Sequence, residues 1–151
     1  MKLNIAQTTL GIIFCSLLIG LAQAAQANEC TLSKVAGQYG YTSSGTIVNP
    51  PAGVFTAVGS VTLTDTGTLS GEQTTSIAGN VVAETISGVF AVNPDCTGTA
   101  TVYVYRGTTL ARTSGLNLVW DDDQKEARGI VLTAGTAITI NIRKMFHREK
   151  D

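Results

Sequence analysis

FAVNPDCTGTATVYVY, residues 90–105, sets two apolar-polar alternating runs on either side of Asn93-Pro94-Asp95-Cys96-Thr97-Gly98. Runs of Val, Thr and Tyr with a period of two read as strands, and Asn, Pro, Asp and Gly between them read as a turn. Strands joined by so short a connection pair antiparallel. The stretch therefore predicts one hairpin. What decides the fold is how often the unit recurs.

It recurs along most of the chain. The runs are AGQYGYTSSG (36–45), GVFTAVGSVTLT (53–64), TLSGEQTTSI (68–77), VVAETISGVFAV (81–92), TATVYVYR (99–106), TLARTSGLNLVW (109–120), EARGIVLT (126–133) and TAITINIRKMF (136–146). Each ends in a turn signal such as Asp65-Thr66-Gly67 or Ala78-Gly79-Asn80. An all-β, eight-stranded antiparallel up-and-down meander barrel is predicted, because closing the sheet removes exposed edges. A two-sheet sandwich is the alternative. The chain lacks the long crossover that a Greek key needs, and Gly59, Gly71, Gly88 and Gly115 inside the runs suit the bends of a small barrel.

Alternation also sorts the faces. Phe55, Ala57, Gly59, Val61 and Leu63 share one face, as do Leu69, Gly71, Gln73, Thr75 and Ile77. The fourth run aligns Val82, Glu84, Ile86, Gly88, Phe90 and Val92; the sixth, Leu110, Arg112, Leu116, Leu118 and Trp120; the eighth, Ile138, Ile140 and Ile142. These faces are expected to point inward, leaving Thr, Ser and Ala outside.

The chain has 151 residues, 44% hydrophobic and 14% charged, with a formal net charge of -1. That length suits one domain, and the charge gives no electrostatic grip on nucleic acid or anionic membrane. Residues 1–27 read as a signal peptide: a basic Met1-Lys2 start, an apolar core from Leu10 to Ala22, and Ala25-Gln26-Ala27 as the cleavage site, with Ala22-Gln23-Ala24 as its rival. The run is too short for a spanning helix. Residues 28–151 are then a single β-barrel domain, exported to the periplasm or the extracellular space, with no stable membrane span. Without Lys2 its formal charge becomes -2, from the 10 basic and 11 acidic residues of the whole chain. Two cysteines remain, Cys30 and Cys96, and in an exported chain such a pair is expected to form a disulfide. This gives Cys96 its role: it ties the start of the domain to a hairpin end.

Chemistry-bearing residues are few. Glu84 and Arg112 fall on inward faces, where a charge must be paired or used. They are candidate polar anchors for a ligand in an apolar lumen whose other contacts are Tyr39, Tyr41, Phe55, Phe90 and Trp120. If the protein is an enzyme, Glu84 and Arg112 are its catalytic candidates, and burial raises the Glu84 carboxyl provided that Arg112 is not close. Tyr103 and Tyr105 form a second Tyr-x-Tyr pair. Asp121-Asp122-Asp123 lacks the alternating ligands of a calcium loop and reads as a solvated turn. The single histidine, His147, lies in a charged tail, which excludes a histidine-rich metal site and argues against a Ser-His-Asp or Cys-His machine. No phosphate-cradling loop is present. No metal and no cofactor are expected.

Gly37-Gln38-Tyr39 resembles the Gly-x-Trp start of calycin barrels, the lipocalin-like and avidin-like proteins, and Arg143 resembles their late closing Arg or Lys. That resemblance implies an eight-stranded barrel with a ligand lumen. YGYTSSG, AVGSVTLTDTGTLSG and SGVFAVNPDCTGT together are similar to small exported bacterial proteins, and that likeness implies no activity. Size and strand richness are also similar to allene-oxide-cyclase-like barrels. The leading expectation is a secreted barrel that holds a small, largely apolar or amphipathic molecule. A cyclase or isomerase using Glu84, and a structural or surface-interaction protein, are the alternatives. Oligomeric state is not legible.

Overall fold

Alternating Thr, Val, Ile and Tyr bury every second side chain once such segments pair edge to edge. The structure, a computed structural model, describes residues 29–50, 52–121 and 123–145. The predicted signal segment, Asp122 and His147 lie outside the described residues.

A short helical turn, α1 (Leu32–Val35), precedes strands β1 (Gly37–Ile47), β2 (Gly53–Leu63), β3 (Thr68–Ile77), β4 (Asn80–Val92), β5 (Thr97–Arg106), β6 (Thr109–Asp121), β7 (Glu126–Val131) and β8 (Thr136–Lys144). Each strand pairs antiparallel with its neighbours in sequence, and β1 pairs with β8, so the sheet is a closed eight-stranded meander barrel. The sandwich alternative is set aside. The predicted inward faces of β2, β3 and β4 all turn inward, with Phe55, Val61, Leu63, Leu69, Ile86 and Phe90 buried.

One face needed correction. Leu110 is 51% exposed, although period two in the sixth run put it with Arg112. The β5–β6 register shifts between Val104 and Tyr105, so that Val104 faces Arg112 while Tyr105 faces Leu110. This bulge inserts Ala111 and turns the start of β6 over. Arg143 faces outward, as its parity against Ile140 and Ile142 requires. Its side chain is exposed and pairs with Glu126 at 3.1 Å. The cation near Tyr39 is Lys144, opposite it across the seam, with Nζ 5.7 Å from the ring centroid.

The two barrel ends differ. At the end where β1 begins, α1 lies across the opening. Thr31 caps it, its side chain accepting from the Lys34 backbone N–H. Val35 of α1 and Tyr39 beneath it are fully buried, and the Tyr39 hydroxyl donates to the Val35 carbonyl at 2.6 Å. Cys30 and Cys96 stand at disulfide distance, Cα to Cα 4.9 Å, and the Cys30 N–H donates to the Pro94 carbonyl. The turn is thus fastened to the β4–β5 connection. Trp120 closes the same floor: its backbone N–H donates to the Cys96 carbonyl, and its ring lies 6.5 Å from that of Phe90. At the opposite end lie the connections that follow β1, β3, β5 and β7, and among the described residues no helix crosses it. Among the described residues no helix is long and apolar enough to cross a membrane.

Candidate functional site

The inward side chains do not fill the barrel. They leave a cavity of about 170 Å³. Leu63, Leu69, Ile86 and Leu116 line it, with Phe90 and Trp120 at the floor and Phe55 and Ile138 nearer the far end. An apolar cavity of roughly 150 Å³ takes up benzene, so this space suits one aromatic ring or a short branched chain.

Ser43, Thr133 and Thr136 also line the cavity, and one side of the wall carries a connected polar network. Gln73 on β3 faces Glu84 on β4 in the ladder, which brings their inward side chains together. The Gln73 amide donates to Glu84 Oε2 at 2.8 Å. Arg112 clamps the same carboxylate with two bonds, Nη1 to Oε1 at 2.8 Å and Nη2 to Oε2 at 2.7 Å. Arg106 Nε adds a fourth to Oε1 at 3.0 Å. The Tyr41 hydroxyl donates to Gln73 Oε1 at 2.7 Å and extends the chain across the barrel wall. Arg112 also lies over the Phe55 ring, 5.9 Å from its centroid. Fork geometry and charge assistance make the Arg112–Glu84 pair the strongest polar contact of the site.

The Glu84 side chain has no exposed surface. Burial alone would raise its carboxyl. The hydrogen bond and charge of Arg112, with the bonds from Arg106 and Gln73, outweigh that and bring it down to about 2. The raised carboxyl expected of an acid-base Glu84 required a distant Arg112, and Arg112 is bonded to it. The Tyr41 hydroxyl is pushed up by burial and by Glu84, against the opposing charge of Arg112, so it stays a neutral donor. Tyr39 is pushed up to about 12 by burial.

The structure therefore gathers Glu84, Arg112 and Tyr41 into one network and sets Tyr41, Phe55, Phe90, Trp120 and Arg112 in the cavity wall. Tyr39 and Glu84 do not border the cavity. The Tyr39 hydroxyl is taken up under α1, and the Glu84 carboxylate is surrounded by its four donors. Tyr103 points outward and is 37% exposed. Sequence reasoning missed Arg106 as a partner of Glu84, although it shares the period-two face of Val104. Among the described residues no three His, Cys, Asp or Glu side chains cluster as metal ligands.

Room for the network depends on Gly59, opposite Tyr41 across β1–β2. A Cβ there would lie 2.9 Å from both the Tyr41 hydroxyl and Gln73 Cβ, and closer still to the Glu72 carbonyl. Gly59→Ala is expected to cost about 2 kcal/mol by overpacking. Urea denaturation checks this, and an unchanged midpoint would show that the wall yields freely.

Fold and site together define a closed antiparallel barrel, plugged at one end, with an apolar cavity and a buried ionic cluster beside it. No family model, curated protein or solved structure matches this chain.

Proposed function

We propose that the protein is an exported binding barrel that holds one small, largely apolar molecule in its interior. The observation that carries this reading is the unfilled apolar cavity of about 170 Å³ in a barrel plugged at one end. Side chains in a closed eight-stranded barrel can pack the interior completely, and retained space in a well-packed fold loses dispersion contacts that a guest would restore. The predicted signal segment and the Cys30–Cys96 pair support export.

Native mass spectrometry of protein purified from its own source tests the reading, with a co-purifying small molecule as the expected result. Val102→Phe provides the control, since Val102 borders the cavity and a larger ring there occupies it. Binding of the recovered molecule is expected to weaken at least tenfold, on the order of the 1.4 kcal/mol that a displaced ring contact supplies, with the circular dichroism spectrum unchanged. Undiminished binding to that variant would put the site elsewhere.

A further inference from the structure

The ionic cluster is not neutral. Arg106 and Arg112 both bond to Glu84, so two guanidinium groups meet one carboxylate. One positive charge is left over. Arg112 borders the cavity and Glu84 does not, so the charge facing the interior is the cationic one. The four connections at this end, 48–52, 78–79, 107–108 and 132–135, contain no charged residue, and the nearby acid Glu72 lies on the outer face of β3, away from the cavity. The acids of the connections sit at the plugged end instead, with Asp65, Asp95 and Asp123 in the turns there.

Donor capacity is also left over. Arg112 spends one N–H from each terminal nitrogen on Glu84 and keeps the others, and Arg106 uses only Nε in that contact. The Arg106 side chain is 48% exposed and the Arg112 side chain 27%, so these donors reach solvent on the open side. Glu84 fixes the fork of Arg112 in place, which lowers the entropic cost of presenting it to a guest.

Resting on the binding-barrel reading, we infer that the guest is a small amphipathic anion, a monocarboxylate on a single ring or short branched chain. Its apolar part fills the cavity, and its carboxylate meets Arg112 at the unplugged end. Arg106 supplies the charge that Glu84 would otherwise cancel.

Binding of benzoate and of benzyl alcohol to the full chain discriminates the possibilities. The two probes share a ring and differ in charge. Trp120, the only tryptophan, borders the cavity and reports both by fluorescence. Benzoate is expected to bind about tenfold more tightly than benzyl alcohol at low salt, an advantage that shrinks as salt screens the partly exposed charge. Arg106→Gln should remove most of that advantage, with a smaller effect on benzyl alcohol because Arg106 does not border the cavity. Arg106→Lys should retain it, because charge rather than fork geometry is what Arg106 contributes. An unchanged circular dichroism spectrum certifies that the variants fold. Equal affinity of the two probes for the wild type, or an advantage untouched by Arg106→Gln, overturns the anion inference and leaves the binding barrel standing. Failure of both probes to bind, together with no co-purifying molecule, overturns both.

Discussion

The Cys30→Ser, Cys96→Ser double variant is expected to unfold with about 4 kcal/mol less free energy than the wild type, the chain-entropy value for a bridge of this span. The two cysteines are 66 residues apart, and the bond closes a loop that contains β1 to β4. Most of the loss acts through the unfolded chain, which regains the freedom that the crosslink removed. A smaller part is local. Without the bond, α1 is held at the barrel floor by the Cys30 N–H to Pro94 contact and the Tyr39 hydroxyl bond to Val35. Urea denaturation of the double variant, with reduced wild type as a second arm, measures the effect. The two should lose the same amount. A midpoint equal to that of the oxidised wild type would mean that the two sulfurs are not bonded in the folded protein.

Glu84→Gln is expected to cost about 3 kcal/mol, the low end for breaking a buried ion pair, because both guanidinium groups retain some access to water. An amide cannot accept from four donors at once, so Arg106 or Arg112 loses its partner. The effect depends on pH with a definite sign. The folded carboxyl lies near 2, below its ordinary value of 4.5. Its contribution is therefore fully present above the ordinary value and is lost as pH falls toward 2. The stability gap between wild type and Glu84→Gln should narrow across that interval and stay constant at higher pH. A gap that widened on acidification would mean that the folded Glu84 carboxyl lies above its ordinary value rather than below it. A constant gap across the whole range would mean that the carboxylate charge plays no part.

Much of the barrel was legible because period-two alternation and turn chemistry are local. Phe55 to Leu63 alternate without a break, and their face follows from counting. Leu110 shows where counting stops: the bulge beside Val104 and Tyr105 depends on how two strands align, which neither strand encodes alone. α1 was missed for a related reason. Four residues are too few for a helical period, and only Thr31 as a cap and the Leu32–Val35 spacing hinted at it. In the site, Glu84 and Arg112 stood out as charges on apolar faces. Their distance, the third partner Arg106 and the direction of the Glu84 shift required three strands to be placed in register. Arg143 and Lys144 differ by one position, and the strand parity against Ile140 and Ile142 decides which of them faces out.

The seam between β1 and β8 has a kinetic consequence. Every other pairing joins strands adjacent in sequence, so hairpins can form by local search, whereas Tyr39 and Lys144 come from opposite ends of the described chain. Loop-closure entropy grows logarithmically with length, so this last union costs roughly 3 kcal/mol more than a hairpin, and it is the contact that raises the mean sequence separation on which folding rates depend. Until it forms, the ribbon carries two free edges at once; afterwards only staggered strand ends, such as β6 before Leu116 on its β7 side, are left without a ladder partner.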